Sequence, residues 1–438
     1  MTRREFGHLV SSALAAGVGK EPSESEGTRG STTAPWRADF PALGQSINGR
    51  PLVYLDSAAT TLRPSAVIQA VAEFYAGDNA NPSASLHTLA RRAHDKYLDA
   101  RRVVASFINA RDPDEIVWVR GTTEGINLVA ATWGLANLRA GDEIILTIAE
   151  HYSNLLPWRI AAERSGAKTI FVDVDDAGRV RLDDLERKLS RRTRLVAVSH
   201  VSNVLGYVNP VAEICARAHA AGARVLIDAA QSVPHVPVDV QALDCDFLAF
   251  SSHKMAGPMG VGVLWARREL LEAMPPYQSG SNMAHDVDLE SASYEHAALK
   301  FGAGTPNVAG PVGLAAAVGY LTGVGRDAIR KHERALTEHA LARLDGIRGL
   351  RVLGPTTAVD RVPVFSFSLE GWKASDLVRE LDGLGIAIRG GDLAALPLLK
   401  RLGLTAAARA SCYLYTTTDE IDRLAATLER LSAGARAR

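Results

Sequence analysis

The stretch R-V-L-I-D-A-A-Q, at residues 224–231, decides the fold class of this 438-residue chain. Three consecutive apolar residues lead into Asp228, and two alanines then separate this acid from Gln231. A short apolar run of this kind is typical of a strand buried on both faces of a parallel sheet. Because ligands of open α/β sheets bind beyond the carboxyl ends of the strands, Asp228 and Gln231 stand where a functional site is expected.

A second stretch, D-F-L-A-F-S-S-H-K at residues 246–254, has the same design: an apolar strand leads into Ser251, His253 and Lys254. If the two strands are neighbours, their ends bring together an acid, an amide, hydroxyl groups and a lysine. Pyridoxal phosphate (PLP) needs a lysine to form an imine, an acid to keep its ring nitrogen protonated, and donors for its phosphate. The pattern predicts a PLP site, although taken singly the acid could be a helix cap and the lysine merely solvated.

Helical and strand-like segments alternate on both sides of these stretches, which predicts an α/β fold with a mainly parallel sheet. We expect a large PLP-binding domain over residues 50–300. A smaller C-terminal α/β domain is expected to combine residues 36–49 with 301–438. The predicted strands are 143–147, 169–172, 194–199, 224–228, 247–251, 260–265, 362–369 and 408–414, and the predicted helices include 64–77 and 86–109.

Charge and cysteine content argue against several classes of function. Acidic and basic residues balance at 49 each, so no overall field would draw the protein onto nucleic acid or an anionic membrane. No run approaches the ~20 apolar residues that a membrane span needs. Cys215, Cys245 and Cys412 are odd in number and widely spaced, which argues against a disulfide framework or a cysteine-rich metal site. We expect a small-molecule substrate and no metal.

Residues 1–35 are predicted to be an appendage to the core. The stretch T-R-R-E-F at residues 2–6, followed by an Ala/Gly-rich run to Gly19, resembles a twin-arginine export signal. A polar stretch at residues 20–35 then has the composition of a linker. These features favour export to the periplasm, and the alternative is a cytoplasmic protein with a disordered tail that carries two arginines.

Several short motifs resemble those of the SUF-type cysteine desulfurase and selenocysteine lyase family, on the class V aminotransferase branch of PLP enzymes. The likeness runs in order from about Trp36 to the end of the chain. It implies the aspartate aminotransferase fold (fold type I), an α-amino acid substrate, and a homodimer whose active sites are shared between subunits. The motifs are D-S-A-A-T-T at 56–61, R-G-T-T-E-G-I-N at 120–127, E-H-Y-S-N at 150–154, V-S-N-V-L-G at 201–206, D-A-A-Q at 228–231, S-S-H-K-M-A-G-P at 251–258 and G-A-G-T-P-N at 302–307.

The resemblance also implies roles for individual residues. Lys254 looks like the catalytic lysine that carries the cofactor, Asp228 like the partner of the ring nitrogen, and His151 like the imidazole stacked on the ring. Gln231 looks like the donor to the ring oxygen. Asn203 and Arg409 match residues that hold the substrate's carboxylate, a role that suits a guanidinium because it binds a carboxylate with two parallel hydrogen bonds. Arg389 is also expected to bind the substrate. The implied phosphate ligands are Thr122, Thr123, Ser251, His253 and, from the neighbouring subunit, Thr305.

One loop departs from the family's pattern. Where the family has R-x-G-H-H-C-x-x-P, with a cysteine that takes sulfur from the substrate as a persulfide, this chain has R-G-G-D-L-A-A-L-P at residues 389–397. Ala394 occupies the cysteine position, and Asp392 and Leu393 replace the two histidines. A methyl group cannot attack sulfur. A second departure lies at residues 83–86, where S-A-S-L replaces V-H-R-G.

Cys412 is not expected to replace the missing thiol, since strand alternation places it on the face opposite Arg409. We therefore expect a carbon–sulfur or carbon–selenium lyase that works without a persulfide cysteine. The alternatives are an aminotransferase or an amino-acid epimerase of the same family. A non-catalytic PLP-fold binding protein is less favoured, because the cofactor ligands are all present. The sequence leaves open the identity of the amino acid.

Overall fold

Strands and helices alternate through residues 34–82 and 86–434, the part of the chain that the computed structural model describes. The strands are β1 (Ser46–Ile47), β2 (Arg50–Pro51), β3 (Val53–Tyr54), β4 (Ile116–Val119), β5 (Glu143–Thr147), β6 (Lys168–Val172), β7 (Thr193–Ser199), β8 (Arg224–Asp228), β9 (Phe247–Ser251), β10 (Gly262–Ala266), β11 (Ala284–His285), β12 (Ser293–Tyr294), β13 (Leu350–Val352), β14 (Val364–Leu369), β15 (Ile386–Ala387), β16 (Arg389–Gly391) and β17 (Ala407–Ser411). The α-helices are α1 (Ser65–Glu73), α2 (Thr88–Phe107), α3 (Thr122–Val129), α4 (Leu135–Asn137), α5 (Leu156–Ser165), α6 (Leu182–Lys188), α7 (Val211–Ala220), α8 (Val240–Leu243), α9 (Arg268–Ala273), α10 (Ala309–Val324), α11 (Arg326–Leu344), α12 (Ala374–Gly383), α13 (Leu396–Arg401) and α14 (Thr418–Gly434).

The central sheet has seven strands in the order β4-β10-β9-β8-β7-β5-β6. Only β10 runs antiparallel to its neighbours, so the sheet is mainly parallel, as predicted. The predicted strands of this sheet are all present, with ends displaced by at most two residues. The α/β fold class is therefore confirmed.

Strand β8 illustrates why the apolar runs form buried strands. Val225 and Ile227 pack into a core on one face of the sheet, and Leu226 packs into a second core on the other face. All three side chains are fully buried, and burying one such side chain contributes about 1.5–3 kcal/mol. Because both faces are covered, β8 can end in a polar residue only where the sheet itself ends, which places Asp228 at its carboxyl edge.

A second, antiparallel sheet forms towards the C-terminus, in the order β13-β14-β17-β16. Its strands β14 and β17 correspond to the predicted strands 362–369 and 408–414. Cys412 follows β17 and is buried in an apolar core beside this sheet, away from the predicted site, as expected. The domain boundaries at residues 50, 300 and 301 remain a prediction.

Among the described residues, no helix is long and apolar enough to cross a membrane. Two features of the sequence lie largely outside the described residues: the N-terminal appendage and the departure at residues 83–86.

Candidate active site

A cavity of about 460 Å³ opens at the carboxyl ends of β7, β8 and β9. Register explains why polar side chains meet there: Ser199, the last residue of β7, pairs with Asp228, the last residue of β8, and β9 lies beside β8. The predicted site residues that line the cavity are Thr122, Thr123, His151, Asn203, Asp228, Gln231, Ser251, His253, Lys254, Arg389 and Arg409.

Thr305 is the one predicted site residue that lies elsewhere. It is exposed, its hydroxyl accepts a hydrogen bond from Asn81 Nδ2 at 3.4 Å, and it lines a separate hollow beside Arg120. This position is compatible with its expected role in a neighbouring subunit, which stays a proposal.

Lys254 and Asp228 form the charged centre of the cavity. Burial lowers the pKa of Lys254 to about 8, against the attraction of Asp228, which raises it. Burial raises the pKa of Asp228, whereas a 2.9 Å hydrogen bond from Ala230 N to its Oδ1 and the charge of Lys254 lower it. No other described residue donates to the Asp228 carboxylate. It therefore keeps acceptor sites for a protonated ring nitrogen, which fits the predicted cofactor.

His151 enters the cavity from the loop after β5. Its Nδ1 accepts a hydrogen bond from Ser153 N at 3.1 Å, which fixes the ring at the start of a short 3₁₀ turn. Burial, reinforced by the positive charges of Lys254 and Arg409, lowers the pKa of His151 to about 4. The imidazole is thus neutral at neutral pH and suited to packing against a flat ring.

Glu150, which precedes this histidine, was not among the predicted site residues. It is fully buried, and burial raises its pKa to about 7. Trp158 Nε1 donates to Asn154 Oδ1 at 3.1 Å, so the amide nitrogen of Asn154 must point to Glu150. The acid ties the loop that carries His151 to β5 and β7. Its three donors are Thr147 Oγ1 (2.6 Å), Asn154 Nδ2 (2.7 Å) and Ser199 Oγ (2.6 Å).

The start of α3 packs directly against the end of β9. Ser251 Oγ accepts a hydrogen bond from Thr122 N at 2.8 Å and lies 2.7 Å from Thr122 Oγ1. A Cβ on Gly262 would lie 2.6 Å from Gly121 Cα, so only glycine permits this approach. The free N–H groups of a helix N-terminus favour an anion, which supports the predicted phosphate site.

Three further predicted ligands line the same cavity. Thr123 Oγ1 lies 2.7 Å from Ser153 Oγ, and burial together with Lys254 lowers the pKa of His253 to about 4. Gln231 Nε2 donates to Ala58 O at 2.6 Å, and its second N–H is left for another acceptor. These donors match the polar groups of the predicted cofactor.

Arg409 is buried among polar partners yet keeps a free donor. It is 3% exposed, donates to Asn203 O at 3.0 Å, and lies 3.4 Å from Asp56 Oδ1, but its Nε has no partner within the described residues. Burial lowers its pKa to about 10, so it stays positively charged. The Nε itself is shielded, so a substrate carboxylate would meet Arg409 through the atoms of its guanidinium that line the cavity.

The other two predicted substrate-binding residues are already engaged by the chain. Asn203 Nδ2 donates to Leu393 O at 2.9 Å. Arg389, about half exposed, binds Asp56 Oδ2 through Nε at 3.2 Å and a terminal nitrogen at 2.9 Å. Asp56 was not predicted as a site residue, since 333 residues separate it from Arg389 and only the fold joins them.

The loop after β16 places Asp392, Leu393 and Ala394 in the cavity wall. Leu393 and Ala394 have φ of 52° and 53°, a left-handed conformation that is uncommon outside glycine. Tyr152 N donates to Ala394 O at 2.8 Å, and the Asn203 amide holds the neighbouring carbonyl.

The cysteines lie away from this loop. Cys215, Cys245 and Cys412 are buried in apolar cores, none lines the cavity, and burial raises the pKa of each thiol.

Comparison with known proteins places these features in context. The Aminotransferase class-V family model matches residues 53–424. The chain is 45% identical over 429 residues to a cysteine desulfurase of Synechococcus elongatus, an alignment that covers 98% of this chain and 68% of the relative.

The chain is also similar to solved structures of PLP enzymes that act on sulfur-containing amino acids. The cysteine desulfurase CsdA (S-sulfonic acid) from Escherichia coli superposes with a TM-score of 0.83 at 40% identity, covering 91% of this chain and 97% of that chain. A mutant of C-DES with glycine covalently linked to the PLP cofactor has a TM-score of 0.78 at 25% identity, covering 90% and 99%.

The predicted twin-arginine signal at Arg3 and Arg4 is wrong. The cysteine desulfurases that the chain matches give no indication of a signal peptide or of export. The alignment with the Synechococcus relative covers 98% of the chain, so it includes most of residues 1–35. The appendage at residues 1–35 otherwise stays a prediction, since alignments with other cysteine desulfurases cover 89–91% of the chain.

Proposed function

Because the chain belongs to the class V aminotransferase family, a family of PLP-dependent enzymes, we propose that it is a carbon–sulfur or carbon–selenium lyase working without a persulfide cysteine. One observation carries the proposal. Ala394 lines the cavity at the position where the resemblance expects the sulfur-accepting cysteine, while all three thiols of the chain are buried elsewhere.

The residues of the cavity divide the work of such a reaction. When bound, PLP withdraws electrons from the substrate's Cα and so makes its proton removable. Lys254, whose lowered pKa favours the neutral amine, would hold the cofactor and then accept that proton. Asp228 would pair with the protonated ring nitrogen, and Thr122 and Ser251 would hold the phosphate. Arg409 would bind the substrate's carboxylate and turn the Cα–H bond towards the lysine.

The cavity wall formed by the described residues has no thiol that could attack the substrate's sulfur, and this favours β-elimination over desulfuration. A desulfurase needs a thiolate that attacks the substrate's sulfur, and its carbon product is alanine. At residues 392–394 the chain offers a carboxylate, an isobutyl group and a methyl group. The proton leaves Cα, the Cβ–S bond breaks, and its electron pair departs with sulfur. Hydrolysis of the remaining enamine gives pyruvate and ammonia.

One relative supports this direction of the chemistry. C-DES is named a cystine C–S lyase in the structure of its complex with its reaction product, cysteine persulfide. A carbon–sulfur lyase therefore exists on this fold at 25% identity to the chain.

The test compares the products of the wild-type enzyme and of Ala394→Cys, both loaded with PLP and given L-cysteine. We expect the wild type to release pyruvate, ammonia and sulfide in equal amounts and to carry no sulfur adduct by mass spectrometry. The variant, with a thiol restored to the cavity wall, should gain an adduct at residue 394 and form alanine. Alanine from the wild type, with an adduct on Cys412, would refute the proposal.

The same incubation separates the competing functions. An α-keto acid that retains the substrate's sulfur would identify an aminotransferase, and loss of optical activity an epimerase. No change in any amino acid tested would favour a binding protein. The homodimer with shared sites belongs to the proposal too: the exposed Thr305 lies outside its own chain's cavity, as a residue that serves a neighbouring site would.

A further inference from the structure

The cavity wall contains two carboxylates among the described residues, Asp228 and Asp392. Asp228 is buried at the end of β8, where the cofactor's ring nitrogen is expected. Asp392 is exposed at the cavity's outer side, on the loop that departs from the family's pattern. Asp392 is therefore open to a substrate that enters the cavity.

Asp392 is held in one position by two donors. Ala394 N donates to its Oδ1 at 3.0 Å, and Tyr152 OH donates to its Oδ2 at 2.7 Å. These hydrogen bonds lower the pKa of Asp392, so it is ionised at neutral pH. Each oxygen keeps a further lone pair for another donor.

No lysine or arginine of the described chain forms a salt bridge with Asp392. The nearby cations have other partners: Arg389 binds Asp56, and Arg409 lies between Asp56 and Asn203. A fixed, ionised and unpaired carboxylate at the mouth of a cavity attracts a cation from solution.

The place of Asp392 on the loop indicates which part of a substrate it meets. Ala394 occupies the position that faces the substrate's sulfur, if the substrate lies as the proposed function requires. Asp392 is two residues earlier on the same wall, and its Oδ1 lies 3.0 Å from Ala394 N. The carboxylate therefore lies beside the residue that faces the sulfur, where it meets the substituent on sulfur rather than the alanyl part held by Arg409.

We infer that Asp392 selects cysteine S-conjugates whose substituent on sulfur ends in an ammonium or another cationic group. This inference rests on the proposed lyase function and names the substrate class of the same site. Cystine carries an ammonium in its distal half, beside a carboxylate, whereas free cysteine has no substituent on its sulfur.

The experiment uses the PLP-loaded enzyme and two ligands of matched size. S-(2-aminoethyl)-L-cysteine carries an ammonium where S-propyl-L-cysteine carries a methyl group. We expect the wild type to bind the cationic ligand about fivefold more tightly by calorimetry, the upper end for an exposed ion pair. Asp392→Asn keeps an acceptor for Ala394 N but removes the charge, so it should abolish the preference. Tyr152→Phe, which keeps the charge, should retain it.

Equal affinity of the wild type for the two ligands, or a preference that survives in Asp392→Asn, overturns the inference. Pyruvate assayed in the same samples reports separately on the lyase function. If both ligands bind equally and both release pyruvate, the selection by Asp392 fails and the lyase stands. If the preference is found but neither ligand releases pyruvate, the selection stands and elimination fails.

Discussion

Arg389 and Arg409 are register partners on the neighbouring strands β16 and β17, and the carboxylate of Asp56 lies between their side chains. The pair is asymmetric. Arg389 is about half exposed and binds Asp56 with two nitrogens, whereas Arg409 is buried and has an Nε without a partner among the described residues. Arg389 thus forms a solvated ion pair, whereas Arg409 is a buried charge that lines the cavity.

This asymmetry predicts unequal effects of removing the two side chains. Arg409→Ala should weaken binding of the amino-acid substrate by ~2–5 kcal/mol, the range for truncating one side of a desolvated charge pair. Arg389→Ala, the matched control, should cost less than ~1 kcal/mol, because its ion pair is solvated. Titration of each PLP-loaded variant with substrate measures both effects. Equal losses, or an unchanged affinity of Arg409→Ala, would contradict the assignment.

Lys254 is predicted to be the residue covalently joined to PLP. Borohydride reduction of the loaded enzyme, followed by peptide mapping, should label this lysine, and Lys254→Ala should carry no label. Since only the neutral amine attacks the cofactor's aldehyde, attachment to the apoenzyme should accelerate as pH rises towards about 8, the pKa of Lys254, and then level off. Label on a different lysine would show that the cavity has been misassigned.

Glu150 is predicted to hold the His151 loop in place. Glu150→Ala would leave the donors of Thr147, Asn154 and Ser199 buried without an acceptor, at ~1–3 kcal/mol each, so unfolding free energy should fall by ~3 kcal/mol or more. Glu150→Gln keeps one carbonyl oxygen in the network and should cost less than half as much. Urea denaturation measures the difference, and similar losses for the two variants would argue against the network.

His200 is predicted to make the fold sensitive to acid. Burial lowers its pKa to about 4 from an ordinary value near 6.5, and its Nδ1 has no partner in the described chain. Between these values the unfolded chain binds a proton that the folded chain does not, so stability falls as pH falls from 6.5 to 4.

Unfolding free energies measured across that window should decline less steeply in His200→Asn than in the wild type. The same substitution at the exposed His94 controls for the change of residue type. A slope unaltered by His200→Asn would show that this histidine does not contribute.

The strands and the cofactor side of the cavity were predictable because both depend on local sequence. Residues 225–227 and 247–250 are uninterrupted apolar runs that are each followed by a polar residue, and a parallel sheet brings such ends together. Asp228 and Lys254 therefore met where they were expected, with Ser251 and Gln231 beside them.

The substrate side was less predictable because its contacts are between distant segments. Asp56 reaches Arg389 only after β3 has paired with β15, far along the chain. Asn203 Nδ2 donates a hydrogen bond to Leu393 O, and no pattern in the sequence indicates this contact. Glu150 directly precedes the predicted residue His151. Its role was not predicted because its complete burial results from the fold and leaves no pattern in the sequence.

The loop at residues 392–394 is held by hydrogen bonds to its backbone atoms. These hydrogen bonds do not involve the side chain at position 394. The Asn203 amide and Tyr152 N hold its carbonyls, and Asp392 holds its amide. The backbone conformation of this loop therefore depends little on which side chain stands at position 394. Under the proposed function, Ala394→Cys would restore a sulfur acceptor at this position without a change in the residues expected to bind the cofactor.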